Sequence, residues 1–136
     1  MKIVLDKEES EKFFHNAMCN IGGIMIDYGL EFNYKESDYN KAKMSLQKKM
    51  HEGTIKSETI CTEDVFMEIL RIGGKLKFID HEGDGLYTKE ITLKDVHDRV
   101  QKTPLNHLTN MIEEQDDADT ADQILQTVFF EEIVFG

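Results

Sequence analysis

Six carboxylates fall within ten residues near the C-terminus: Glu113, Glu114, Asp116, Asp117, Asp119 and Asp122, with no base among them. The chemistry open to such a run is electrostatic. Fixed anions pair with lysine on a partner surface, or bidentately with arginine. The plain alternative is a solvated junction between two helices. There Glu113 and Glu114 would face the unfavourable C-terminal end of one helix dipole, while Asp119 and Asp122 would face the favourable N-terminal end of the next. The charge of the whole C-terminal part favours the partner reading. From Asp80 to Gly136 there are 14 acids against four bases, a net of -10, whereas residues 1–79 carry 13 acids and 12 bases, a net of -1. Glu131 and Glu132 add to this excess, and Lys94, Arg99 and Lys102 are expected to offset it only weakly. A field of this sign repels nucleic acid and membranes and draws basic proteins.

A second group could hold a cation. Asp80, Glu82 and Asp84, followed by Gly85, place hard oxygen ligands at alternate residues, as the first half of an EF-hand calcium loop does. The twelfth position, which should be a bidentate glutamate, is Ile91, and the segment entering the loop alternates like a strand. A glycine-containing hairpin turn is therefore the preferred reading, with calcium as the alternative. The five histidines, His15, His51, His81, His97 and His107, show no i,i+4 pairing of the kind a zinc helix uses. His97-Asp98 is a metal-phosphohydrolase-like pair, but no further ligands can be assigned to it. No nucleophile elbow, P-loop or dinucleotide-binding glycine pattern is present. The sequence thus points to no catalytic residue, no cofactor and no metal, and to a binding protein over an enzyme. Cys19 and Cys61 lack a CxxC partner, so both are expected as reduced thiols in an intracellular protein, with Cys19 packed beside Phe14 and Met18.

The elements that must position these groups follow from hydrophobic spacing. The chain has 136 residues, 40% apolar, which suits one domain (1–136) with its own core. The three apolar residues near the N-terminus are too few for a signal peptide, and no apolar run approaches a membrane span. Lys2 to Leu5 reads as a strand. A helix over Lys7 to Asn20 has the stripe Phe13, Phe14, Ala17, Met18 and Ile21, ended by Gly22 and Gly23. Strands are expected over Ile24 to Tyr28 and Leu30 to Tyr34, then a helix over Asp38 to Met50 capped by Ser37 and a loop from His51 to Cys61. Thr62 caps a third helix with Val65, Phe66, Ile69 and Leu70 inward, stopped by Gly73 and Gly74. Lys75 to Asp80 and Leu86 to Ile91 form a hairpin. Thr92 and Asp95 make the capping box of a fourth helix, and Thr103-Pro104 opens a fifth with the stripe Leu105, Leu108, Met111 and Ile112. A sixth is capped near Asp119 and buries Ala121, Ile124, Leu125, Val128 and Phe129; Ile133 to Phe135 extends it or adds an edge strand. The fold class is α+β: about six helices and two small antiparallel hairpins, with one merged sheet as the alternative. An α-β-β-α order recurs in residues 10–50 and 62–102, and chance recurrence of cap residues is preferred over duplication.

The stretch from Asp116 through Asp122 to Glu131, Glu132 and Gly136, an acidic loop followed by an apolar helix and an acidic-apolar terminus, resembles small acidic phage and mobile-element proteins of gut bacteria. Within these it is most similar to anti-CRISPR proteins that inhibit type II-A effector nucleases. The segment Thr92 to His97 looks similar as well. The resemblance implies an inhibitor that acts by binding in the bacterial cytoplasm, without catalytic residues. Its partner would be a CRISPR effector nuclease or another basic nucleic-acid-handling enzyme, whose positively charged channel an acidic domain can occupy in place of phosphates. Direct contact with nucleic acid or membrane is not expected. Two alternatives remain open: a phage or mobile-element protein whose acidity serves solubility alone, and a calcium-responsive module.

Overall fold

The computed structural model describes residues 3–20, 27–53, 59–115 and 117–135. Among them are six α-helices and a three-stranded antiparallel sheet in the order β1-β2-β3. In chain order these are α1 (Lys7–Asn20), β1 (Leu30–Asn33), α2 (Glu36–His51), α3 (Thr62–Arg71), β2 (Leu76–Asp80), β3 (Lys89–Ile91), α4 (Leu93–Arg99), α5 (Leu105–Ile112) and α6 (Ala118–Phe130). A single 3-10 turn, Val100–Lys102, follows α4. The α+β architecture is thus the observed one. The hairpin expected over Lys75–Asp80 and Leu86–Ile91 is formed as β2 and β3, and β1 joins the other edge of β2; the strand expected over Ile24 to Tyr28 is not formed at its described residues, Asp27 and Tyr28. Ile21 to Ile26, with Gly22 and Gly23, lie outside the described residues, while Asp27 to Gly29 are a helical turn and bend leading into β1.

The sheet is short because one carboxylate curls its hairpin. Asp80, at the end of β2, accepts the N–H groups of Glu82 (3.1 Å), Gly83 (2.7 Å) and Tyr87 (3.1 Å) and donates its own N–H to Thr88 Oγ1 (3.0 Å). Residues 86–88 are thereby drawn into the turn, and β3 begins only at Lys89, three residues later than sequence spacing suggests. The expected strand at Lys2 to Leu5 is absent over its described part. The Leu5 N–H is satisfied by Gln101 Oε1 at 3.2 Å instead, and its side chain joins the core.

Helix α6 is the hub. Nine of its residues are buried, including all five that apolar spacing assigned to its inner face. It packs against α1, α4, α5 and β3. Phe129 stacks on Phe78 of β2, ring centroids 3.9 Å apart, and Phe78 in turn meets Phe32 of β1 at 4.6 Å. Sheet and helices therefore share one apolar cluster. Burying most of a helix's circumference also buries its polar side chains, which then need partners. Gln126, with no exposed surface, finds four: its Nε2 donates to Asp122 Oδ1 (2.8 Å) and to the Phe135 carbonyl (2.9 Å), and its Oε1 accepts the N–H groups of Val134 (2.8 Å) and Phe135 (2.7 Å).

The C-terminal tail is therefore neither a helical extension nor an edge strand. Glu131 adopts a left-handed conformation (φ 61°) that ends α6 and turns the chain back, and the Gln126 amide takes the place of a neighbouring strand. Tyr28 closes the arrangement by donating its hydroxyl to Asp122 Oδ2 (2.7 Å) and stacking on Phe135 at 4.7 Å. Helix starts differ from expectation by a residue or two. Lys35, Cys61, Pro104 and Asp117 occupy the N-cap positions in place of Ser37, Thr62, Thr103 and Asp119. The Thr92–Asp95 capping box is formed, with Asp95 Oδ2 accepting the Thr92 N–H at 2.9 Å.

Gln126→Leu preserves size but orphans two backbone N–H groups and frees Asp122. The expected loss is about 3 kcal/mol of unfolding free energy in urea titrations, with faster amide exchange at Val134 and Phe135. A loss under about 1 kcal/mol would show that the tail is not held by this side chain.

Candidate functional site

The six carboxylates singled out by sequence occupy the junction between α5 and α6, and the structure divides them. Helix α5 ends in a reverse turn: the Glu113 N–H reaches the Thr109 carbonyl (2.9 Å), Glu114 reaches Met111 (3.2 Å) and Gln115 reaches Asn110 (2.8 Å). This closure puts Glu114 in the left-handed region at φ 56°, a position where glycine avoids a steric cost. Glu113 and Glu114 are exposed, and neither side chain has an ion pair or hydrogen bond among the described residues. Asp116 lies outside the described residues. Asp117 is the α6 N-cap, its Oδ1 accepting the Thr120 N–H at 2.9 Å. That backbone bond holds its carboxyl below the usual aspartate range. Asp119 is exposed, 4.0 Å from His107 Nε2. Beneath them the two helices meet at buried Thr120, whose hydroxyl lies 3.0 Å from His107 Nδ1 and accepts from Asn110 Nδ2 at 3.3 Å.

Asp122 is withdrawn from the contact set. It is 5% exposed, and its two oxygens are engaged by Tyr28 and Gln126. The same burial beside Asp122 pushes the Tyr28 phenol up to about 12. Spacing alone could not separate Asp122 from Asp119: three residues apart they share a face of the helix, and only Asp122, one turn further in, is covered by what packs against α6.

Elsewhere in the acidic half the local bases are better used than composition suggests. Arg99 lies 3.2 Å from Asp95 and 3.5 Å from Glu131 and donates to the Val128 carbonyl at 2.8 Å, closing the end of α6. Lys94 pairs with Asp98, and Lys75 lies 3.7 Å from Glu90. Glu113, Glu114, Asp117 and Asp119 are left as exposed junction carboxylates without a lysine or arginine partner among the described residues.

The other candidates resolve into structural roles. The Asp80 carboxylate points into its own turn, and its pKa is held down by the Gly83 and Tyr87 N–H groups. Among the described residues no three His, Cys, Asp or Glu side chains converge as a metal-binding group. His97 and Asp98 diverge: His97 Nε2 meets Glu11 Oε2 at 2.9 Å, and Asp98 meets Lys94. Cys19 is exposed, against the expectation of packing beside Phe14 and Met18; those two face the core, and Cys19 falls on the outer side of α1. There it joins a constellation that sequence spacing did not reveal. His15 Nδ1 is 3.9 Å from Cys19 Sγ, and His15 Nε2 is 2.7 Å from Asp64 Oδ1. The order thiol, imidazole, carboxylate is that of an activated nucleophile. The electrostatics are opposite to what activation needs, because partial burial and the charges of Glu63 and Asp64 push the Cys19 thiol up.

Sequence reading also missed a polar cluster joining α1, α2, α3 and α4. Glu68, fully buried, accepts from Ser45 (2.6 Å) and Lys49 (2.7 Å) at Oε2, while its Oε1 has no hydrogen bond and lies 3.7 Å from Arg71 Nη1. Arg71 donates Nε to Glu11 at 2.8 Å, and Glu11 also receives His97. Burial pushes the Glu11 pKa up, but these hydrogen bonds outweigh it and the net effect is downward. The i,i+3 pair Glu68–Arg71 was the available sequence signal; that it would lie inward depended on tertiary packing.

No protein-family model, no curated protein and no solved structure matches the chain.

Two measurements test this account. Asp80 has a folded pKa below its unfolded value of about 3.9, so its contribution to stability is present above that value and lost as pH falls through the folded pKa. Asp80→Asn is therefore expected to be less stable than wild type at pH 7, with the gap closing between about pH 4 and pH 2; a gap independent of pH would contradict the carboxylate role. Cys19, in a Cys61→Ser background, is expected to alkylate with iodoacetamide more slowly than free glutathione at pH 8. Faster reaction would mean an activated thiol.

Proposed function

We propose that the protein is an inhibitory binding protein that docks on a basic surface of a nucleic-acid-handling enzyme, and that this enzyme is a type II CRISPR effector nuclease, as the anti-CRISPR resemblance implies. The contact is made by Glu113, Glu114, Asp117 and Asp119. The observation that carries the reading is Glu114: a charged side chain without a partner among the described residues, in a left-handed turn position that glycine fills at lower cost. Asp84 in the β2–β3 turn and Glu131 at the end of α6 share this left-handed geometry, but Glu131 is paired with Arg99, and only Glu114 has it within a cluster of exposed carboxylates. The neighbouring carboxylates give arginine-rich surfaces several anions to meet at once, which raises the association rate at low salt. The route is stoichiometric occupation of a phosphate-binding surface, without turnover.

The stretch that carries the resemblance is mostly the buried hub helix and its latched tail. Its apolar residues bear on fold, and the functional weight falls on the few exposed acids at its start.

The test is DNA cleavage by a purified type II-A effector nuclease, assayed over a salt series with the quadruple variant Glu113→Gln, Glu114→Gln, Asp117→Asn and Asp119→Asn. Asparagine retains the capping function at position 117. Inhibition is expected to weaken about tenfold at low salt and to lose most of its salt dependence. Unchanged inhibition by the variant would remove the acidic contact, and no inhibition by wild type would remove the nuclease as partner.

A further inference from the structure

A groove with a volume of about 660 Å³ lies between α1, α2 and α3. Its floor is apolar, made by Leu46, Ile60 and Met67, and Arg71, Lys7 and Lys12 stand at its walls. Arg71 is held for binding. Its Nε is fixed by Glu11 at 2.8 Å, and Glu11 is itself fixed by His97 at 2.9 Å. Its Nη groups make no hydrogen bond among the described residues; Nη1 lies 3.7 Å from Oε1 of the fully buried Glu68. A guanidinium tethered by Nε keeps its Nη edge for a second, bidentate acceptor.

The charges around the groove allow an anion. Of its three carboxylates, Glu11 is paired with Arg71 and His97, and Asp64 with His15 and the Cys61 N–H, while Lys7 and Lys12 have no ion pair among the described residues. Glu8 is the remaining acid. In a chain of net charge -11 this wall is locally balanced, and its unpaired groups are two cations, Lys7 and Lys12, and one anion, Glu8. An apolar floor with a few oriented polar groups is the usual anatomy of a small-molecule site.

We propose that this groove binds a small organic anion, its carboxylate or phosphate on the Arg71 fork and its apolar body on Leu46, Ile60 and Met67. The site adjoins the acidic junction only at Lys12, which also lines a smaller groove with Glu114, and it does not depend on the function proposed for that junction.

The test is an amide chemical-shift titration of the whole protein with phenylphosphate, benzoate, inorganic phosphate and benzylamine as probes. Phenylphosphate or benzoate is expected to shift Lys12, Ile60 and Arg71 saturably, at about tenfold lower concentration than inorganic phosphate. The tighter of the two identifies the headgroup, and benzylamine is expected to leave these amides unmoved. Ile60→Trp fills the groove while leaving the Arg71 tether intact, and Arg71→Lys keeps a cation beside Glu68 while removing the fork. Each is expected to abolish saturable binding of the aromatic anions. Equal affinity for inorganic phosphate and the aromatic anions, preferential binding of benzylamine, or aromatic-anion binding that survives both substitutions would overturn the proposal.

Discussion

Burial of α6 on nearly all sides is the constraint from which the rest of the structure follows. Its apolar residues supply the contact between helices and sheet through Phe129 and Phe78. Its polar residues cannot reach water, so each must be satisfied internally. Gln126 is satisfied by the returning tail, Asp122 by Tyr28 and Gln126, and Thr120 by its cap and by α5. The tail, the segment before β1 and the α5–α6 junction are thereby tied to one helix. Apolar burial supplies most of the driving force, and the polar contacts fix which chain segments lie where.

That constraint also sorts the negative charge. A net of -10 over the last 57 residues looks uniform as composition. In three dimensions Asp80 shapes a turn, Asp122 joins a buried hydrogen-bond network, Glu90, Asp95, Asp98 and Glu131 meet nearby bases, and Glu82, Asp84, Glu132 and the described junction acids remain exposed without a lysine or arginine partner among the described residues. A junction built of carboxylates at a helix C-terminus and a left-handed turn is a poor choice for stability alone. Only part of the acidity therefore has a structural explanation, and the part without one is densest at the connection that the function proposal uses, with Glu82, Asp84 and Glu132 exposed elsewhere. The mixed-charge groove between α1, α2 and α3 is lined by other residues, Lys7, Lys12 and Arg71 among them, and meets the junction only at Lys12.

Much of the architecture could be read from residue spacing. The inner faces of α1 and α6, the glycine stop after α3 and the Thr92 capping box rest on local rules that tertiary context did not overturn. Several misreadings share a cause: each depended on which of two neighbouring stretches of a helix surface packs inward. Leu105 and Ile112 extended the expected α5 stripe yet are exposed, at 42% and 50%, because the short helix buries only Leu108 and Met111. Cys19 and Asp122 were misplaced for the same reason. The pairing of β1 with β2 spans some 50 residues, and the Gln126 latch uses a side chain in place of a strand; neither leaves a periodic trace. Of the candidate site, the location and exposed acids were legible, while the left-handed geometry of Glu114 was not.

The most direct measurement is the affinity of Glu114→Gly for the effector nuclease, taken together with its urea midpoint. Glycine relieves the left-handed strain, so stability should rise by about 1 kcal/mol. If the carboxylate is kept for a basic partner, affinity should fall as stability rises. A variant that is more stable and binds equally well would contradict the account and leave solubility as the reason for the acidic junction.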